Sequence, residues 1–145
     1  MLIGTYLDKY RDTGLLVLRI GFGLMFMYHG FPKIVGGVEK WAGLGGAMSA
    51  FGITFLPAFW GFMAAFSEFF GGLLLLLGFF FRPANVLLAI TMIVAVAMKF
   101  NAGEGLFGAS HALEAGILFI SLIFIGPGEY SLDERLGDVK KIATS

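Results

Sequence analysis

The sequence places seven ionisable side chains within or beside segments that are otherwise strongly apolar. Glu68 lies in the middle of one such segment, in the run SEFFGGLLLLLG. A charged group at the centre of a bilayer costs about 2.5–3.5 kcal/mol on insertion scales, so such groups usually face protein or water and pair with one another. The set that could do chemistry is Arg19, His29, Lys33, Glu68, Lys99, His111 and Glu114.

The acids and imidazoles of this set are suited to moving protons. We expect Glu68 and Glu114 to exchange protons with a bound headgroup or to hydrogen-bond to it. His29 and His111 would relay those protons to the outer side of the membrane, because imidazole titrates near neutral pH. The four residues are therefore the candidate catalytic, proton-handling groups.

The bases of the set are suited to binding an anion or a headgroup. Lys33 and Lys99 would hold the negative charge of an oxyanion or a headgroup. Arg19 lies in the same apolar segment as Lys33, near its other end, and would reach the lipid headgroups. Buried ion pairs can also act only to fix which helices pack together, and this structural role is the alternative interpretation of the whole set.

The two histidines raise the question of a metal or haem. Imidazole and carboxylate are ligands for zinc or iron, and two imidazoles can be axial haem ligands. No HExxH or ExxH motif is present, and His111-x-x-Glu114 reverses the order found in di-iron bundles. The nearby lysines would repel a cation, so we predict no metal site. The absence of cysteine excludes disulfides and thiolate-ligated clusters.

The composition places these residues in a membrane. The chain is 58% hydrophobic and 14% charged, whereas a soluble domain averages about 45–50% and roughly 25%. Its formal net charge of +0 gives no broad basic surface for nucleic acid. Backbone polar groups must be satisfied internally in lipid, so apolar segments of about 20 residues are expected to be helices. Four segments qualify, approximately Gly14–Val35, Pro57–Phe81, Pro83–Phe100 and Ala109–Gly126.

The connections between the segments predict an antiparallel bundle. A tight turn at Arg82 and Pro83 joins the second and third segments. Residues 36–56 carry apolar side chains at spacings of three and four, which predicts a short amphipathic interfacial helix anchored by Trp41. The expected fold class is all-α: an integral membrane four-helix antiparallel bundle, with that helix between helices 1 and 2. We expect one domain over residues 1–145, with a polar tail at 127–145.

The distribution of Lys and Arg predicts that both termini are cytoplasmic, because basic residues are more numerous on the side that carries the termini. The end of the first helix and the start of the fourth then lie in the outer half of the bundle. Small residues surround Glu68 at helical spacing, so it should face a neighbouring helix. We therefore expect the acids, lysines and histidines to form one polar pocket in the outer half, with Glu68 somewhat deeper.

Three stretches of the chain carry a resemblance to a known family. They are LRIGFGLMFMYHGFPKI, SEFFGGLLLLLGFFFRPANVLLA and HALEAGILFISLIFIGPGEYSLD. Over about residues 14 to 137 the chain resembles the DoxX family of small bacterial membrane proteins. The resemblance implies four transmembrane helices and a redox association. Relatives include membrane subunits of thiosulfate:quinone oxidoreductase and proteins that act with superoxide dismutase and a sulfur-handling partner. His29, Lys33, Glu68 and Glu114 occupy motif positions.

These observations together predict a quinone- or lipid-associated redox accessory subunit of the inner membrane. Quinone is the cofactor they suggest, and the expected partners are membrane lipids, a larger membrane complex or further copies of the chain. Two alternatives are a scaffold subunit without its own catalysis and a small oligomeric transporter. The sequence alone leaves open whether the chain is itself an enzyme.

Overall fold

A computed structural model describes residues 6–143, with side chains as far as Asp138, and the described residues form helices without a strand. Four of these helices are long and apolar enough to cross a membrane, and we call them the first to fourth spans. They are Asp8–Ile34, Pro57–Leu77, Phe81–Asn101 and Gly105–Ile125. The all-α, four-helix membrane fold predicted from the sequence is confirmed, and the chain is a multi-pass membrane protein.

The ends of the spans differ from the predicted ends by a few residues. The second span ends at Leu77 rather than Phe81, because Gly78 takes a left-handed conformation with φ +64°. The fourth span begins at Gly105, four residues before the apolar run that marked it in the sequence. The antiparallel order puts two sets of span ends together, which we call the Lys33 end and the Arg19 end of the bundle.

The first and second spans touch backbone to backbone at two points. A Cβ added to Gly23 would lie 2.8 Å from the carbonyl oxygen of Gly72, and one added to Gly72 would lie 2.9 Å from that of Gly23. One added to Gly30 would lie 2.5 Å from the backbone nitrogen of Phe69. Small residues allow this close approach of membrane helices. It places the chain around Glu68 directly against the first span.

The third and fourth spans form the other side of the bundle. Phe26 of the first span and Phe119 of the fourth meet edge to face, with ring centroids 4.8 Å apart. This geometry is favoured between aromatic rings. The buried apolar core is Leu15, Phe26, Leu75, Phe81, Leu88, Ala89, Met92, Ala115, Phe119 and Leu122. Aromatic contact across the middle therefore joins the two helical pairs.

A helix at Gly37–Gly45, followed by a 3₁₀ segment at Gly46–Phe51, connects the first two spans. This connecting helix packs closely on the second span, since a Cβ at Gly45 would collide with the carbonyl of Pro57 and one at Gly61 with that of Trp41. The indole of Trp41 donates to the carbonyl oxygen of Lys33 at 2.9 Å. Trp41 therefore fixes the helix to the end of the first span, in addition to any anchoring in the interface.

At the Arg19 end, the start of the C-terminal helix, Leu132–Ala143, caps the third span. The two carboxylate oxygens of Asp133 accept hydrogen bonds from the backbone N–H groups of Phe80 and Phe81, at 3.0 and 2.9 Å. These groups begin the third span and have no partner within the helix. A carboxylate here satisfies them and interacts favourably with the helix dipole.

Candidate functional site

Glu68 lies in a single π-helical turn, Ser67–Gly71, that interrupts the second span. Such turns are rare and occur frequently at functional sites. The Ser67 hydroxyl donates to the carbonyl oxygen of Leu87 at 3.2 Å, and the Thr91 hydroxyl donates to Ser67 Oγ at 2.7 Å. The turn is thus tied to the third span by hydroxyl groups, while Gly30 of the first span packs on its other side.

Glu68 is paired with Lys33 of the first span. Lys33 Nζ lies 2.5 Å from Glu68 Oε2, and the two side chains are 29% and 9% exposed. The expectation that Glu68 faces the protein interior is confirmed, because the whole residue is only 7% exposed. A pair so sheltered is held by a charge-assisted hydrogen bond, and removing either partner would leave a poorly solvated charge.

This ion pair lies on the wall of a cavity of about 410 Å³ between the connecting helix, the second span and the third span. Thr91 also lines the cavity, and most of the remaining wall is apolar. The residues on it are Lys33, Leu44, Gly45, Ala47, Met48, Phe59, Trp60, Met63, Ala64, Glu68, Leu87, Ile90, Thr91, Val94, Ala95 and Met98. An apolar pocket with a few convergent polar groups is the usual form of a small-molecule site.

The lining chemistry defines what this cavity would accept. The ammonium of Lys33 can donate to a carbonyl or oxyanion, and the carboxyl of Glu68 can give or take a proton. The aromatic and aliphatic wall would contact a hydrocarbon ring or chain. An amphipathic molecule with an oxygen-bearing head and an apolar body therefore fits this donor set.

The two histidines lie close together on the first and fourth spans. The ring centroids of His29 and His111 are 6.4 Å apart, and both residues are exposed on the surface of the bundle. His29 precedes Lys33 by four residues, so the two share a face of the first span. The juxtaposition predicted for the imidazoles is present, beside the ion pair but outside the wall of the cavity.

Comparisons with known proteins agree with this architecture. The profile of the family described as DoxX matches residues 14–101. The chain belongs to the DoxX family. The matched region contains the whole of the Lys33–Glu68 cavity and ends before His111 and Glu114.

Several curated proteins are similar to this DoxX chain. "Inner membrane protein YqjF" of Escherichia coli is 33% identical over 135 residues, covering 90% of this chain and 97% of that protein. "Inner membrane protein YphA" of the same organism is 29% identical and covers 88% and 97%. "Putative oxidoreductase CatD" of Bacillus subtilis is 33% identical over 90 residues, 62% of each chain. No solved structure matches the chain.

The remaining polar residues expected in the pocket of this DoxX protein lie elsewhere. Lys99 pairs with Glu104 at 2.8 Å, and the two side chains are 34% and 44% exposed. Glu104 lies just beyond the third span, so it reaches Lys99 locally. Glu114 is exposed on the fourth span and does not line the cavity. The structure therefore brings Lys33 and Glu68 together at the cavity, whereas Lys99 and Glu114 do not line it.

Arg19 has partners different from the expected anion or headgroup. It is only 2% exposed. Its guanidinium donates to the carbonyl oxygens of Leu75 and Leu76 at 3.3 and 3.2 Å, and to those of Pro127 and Tyr130 at 3.0 and 3.2 Å. These carbonyls end the second span and form the loop after the fourth. Arg19 therefore joins three parts of the DoxX fold at the end opposite the cavity.

The histidines and glutamates of the spans do not assemble a metal centre. Among residues 6–143, no group of three or more His, Asp or Glu lies close enough to hold an ion. The Glu68 carboxylate faces an ammonium, which opposes a cation at that position.

Two residues of the site were missed in the sequence. Thr91 and Ser67 carry the hydroxyl bonds that hold the π-helical turn against the third span. Hydroxyl side chains in a membrane helix usually bond to their own backbone, and Thr91 also lies 3.0 Å from the carbonyl oxygen of Leu87. The signal that could have found them was the recurrence of hydroxyl residues beside Glu68 and on the adjoining helix.

Proposed function

We propose that the protein binds an isoprenoid quinone in the cavity beside Lys33 and Glu68 and acts as a redox accessory subunit of the inner membrane. The observation that carries the proposal is the position of one sheltered ion pair on the wall of an otherwise apolar cavity of about 410 Å³. A quinone combines carbonyl oxygens with an apolar body, which matches both parts of that wall.

Lys33, Glu68 and the two histidines would have different roles in binding the quinone and moving its protons. Lys33 would donate a hydrogen bond to a quinone oxygen and stabilise negative charge there. Glu68 would supply or accept the proton that accompanies reduction or oxidation. His29 lies one turn from Lys33 and beside His111, which suits a proton path to the surface. A partner protein would provide or receive the electrons.

The relatives support this assignment at a coarser level. Two similar proteins are named as inner membrane proteins, and a third carries the name of an oxidoreductase. The bias of Lys and Arg supports cytoplasmic termini, with the Lys33 end on the outer side. In that orientation the cavity would draw its ligand from the outer half of the bilayer.

Quinone binding is expected to quench the fluorescence of Trp60. The chain has two tryptophans, of which Trp60 lines the cavity, while Trp41, on the connecting helix, packs against Phe62 and does not line it. In detergent, a short-chain ubiquinone or menaquinone should quench the wild-type protein saturably. The Trp41→Phe protein should retain most of that quenching, and the Trp60→Phe protein should lose most of it.

The Lys33–Glu68 ion pair is expected to determine the affinity of the protein for quinone. Glu68→Gln removes the charge while keeping the shape, and we expect quinone affinity to fall about tenfold or more, as for loss of a charged hydrogen bond. Glu39→Gln is the matched control because Glu39 is exposed on the connecting helix outside the cavity. Non-saturable quenching, or equal affinity in both glutamine variants, would contradict the proposal.

A further inference from the structure

A second depression lies beside the cavity. It is a groove of about 740 Å³ between the end of the first span and the connecting helix. Its lining includes Met27, Tyr28, His29, Phe31 and Lys40. Lys33 and Leu44 line both this groove and the cavity, so they form the wall between them. The proposed quinone site leaves the groove unused.

The charge on the groove has one sign. Its two lining residues of fixed charge are Lys33 and Lys40, and no carboxylate lines it. Glu68 pairs with Lys33 from the cavity side. The exposed Lys40 is therefore the ammonium available to a ligand from the lipid side. An anionic group would complement this arrangement, and a cation would not.

The alkyl chain of Lys40 packs against Gly36, between the first span and the connecting helix. A Cβ at Gly36 would collide with Lys40 Cδ, so the absence of a side chain at Gly36 makes room for the lysine. Lys side chains commonly bury their alkyl part in this way and leave the ammonium at the polar surface. Lys40 lines the groove and is exposed, so its ammonium is accessible there.

The rest of the groove suits a lipid. Tyr28 and His29 are exposed amphipathic rings near the end of the first span, where a helix leaves the hydrocarbon. Met27, Phe31 and Leu44 provide apolar surface in the same groove. A headgroup phosphate at Lys40 would leave an acyl chain to run along this surface.

We propose that this groove binds one anionic phospholipid, with the phosphate held by Lys40 and with an acyl chain against Met27 and Phe31. Basic residues at a membrane surface attract anionic lipid in this manner. The site is distinct from the quinone cavity and does not depend on it, although occupancy of the groove would stabilise the wall that Lys33 and Leu44 share.

Native mass spectrometry with defined lipids tests the proposal. The purified, delipidated full-length protein is offered equal amounts of phosphatidylglycerol and phosphatidylcholine of the same chain length. The wild-type protein should retain phosphatidylglycerol in preference. Lys40→Gln should reduce that preference about fivefold, the effect expected of one interfacial lysine. Gly36→Ala should reduce it as well, because the lysine chain is displaced.

Lys99→Gln is the matched control, since Lys99 lies at the same end of the bundle and is paired with Glu104. It should keep the wild-type preference. Equal retention of the two lipids by the wild-type protein would overturn the proposal and identify the groove as ordinary bilayer contact. An equal loss in Lys40→Gln and Lys99→Gln would also overturn it, because the preference would then follow total charge.

Discussion

Arg19→Leu is expected to destabilise the protein strongly, because it removes the hydrogen bonds that join three parts of the fold. Four backbone carbonyl oxygens accept hydrogen bonds from the guanidinium. Leucine would remove this donor from all four oxygens. The Leu75 oxygen keeps the N–H of Gly78 at 3.2 Å, whereas a buried acceptor left unsatisfied costs about 1–3 kcal/mol. Allowing for partial relaxation, we expect a loss on the order of 3–5 kcal/mol. Thermal unfolding in detergent, followed by size-exclusion chromatography, measures the effect.

Two further variants make the Arg19 experiment specific. Arg19→Lys keeps the charge but has three donors in place of a planar fork of five, so it should recover only part of the stability. Arg82→Gln is the control, because Arg82 is exposed and donates to a single carbonyl, that of Ile123. Its effect should stay within about 1 kcal/mol. An Arg19→Leu protein that unfolds at the wild-type temperature would show that the four bonds contribute little.

The second large effect is expected at Gly30. A Cβ there would lie 2.5 Å from the nitrogen of Phe69 and 2.9 Å from the carbonyl carbon of Glu68, both of which are backbone atoms. Gly30→Ala must therefore separate the first span from the π-helical turn, at an overpacking cost of about 1–3 kcal/mol. Because the turn carries Glu68, the same change should lengthen the Lys33–Glu68 contact and weaken quinone binding.

Gly21→Ala provides the matched control in the same span. Gly21 is exposed, and no atom outside its own helix lies within 4 Å of its added Cβ. Alanine is the better helix former by about 0.5–1 kcal/mol, so Gly21→Ala should be neutral or stabilising. Denaturant titration of both variants, with quinone affinity measured in parallel, separates packing from helix propensity. Equal stability of the two variants would contradict the close contact at Gly30.

Hydrophobic length and small-residue spacing were enough to predict much of this fold. Apolar runs of about 20 residues specify membrane helices because the bilayer offers the backbone no alternative partner. The small residues around Glu68 correctly predicted its burial, since helices approach most closely where side chains are absent. Gly72 meets Gly23 in this way.

Periodicity could not predict which residues would meet. It assigns a residue to a helix face, but the rotation of that helix against its neighbours depends on contacts along its whole length. Glu114 and His111 share a face of the fourth span, and that face lies exposed outside the cavity. Lys99 forms an ion pair with Glu104, only five residues further along the chain.

Two further features depend on residues distant in sequence or on local helix geometry. Two of the acceptors of Arg19 belong to Pro127 and Tyr130, 108 and 111 residues away, and an isolated helix gives no sign of them. The π-helical turn at Ser67–Gly71 is not specified by apolar periodicity or by the spacing of small residues. Its hydroxyl contacts with the third span depend on how the two helices pack, which the sequence of either helix does not determine.

The central claim is that the sheltered Lys33–Glu68 pair holds the polar head of a quinone whose body fills the adjoining cavity. An experimental density map of the protein purified from its own membrane, without added ligand, tests that claim most directly. We predict elongated density between the connecting helix and the second and third spans, with its head within hydrogen-bonding distance of Lys33 Nζ or the Glu68 carboxylate. A map in which side chains close this cavity, or in which the ion pair contacts nothing but protein, would contradict the claim.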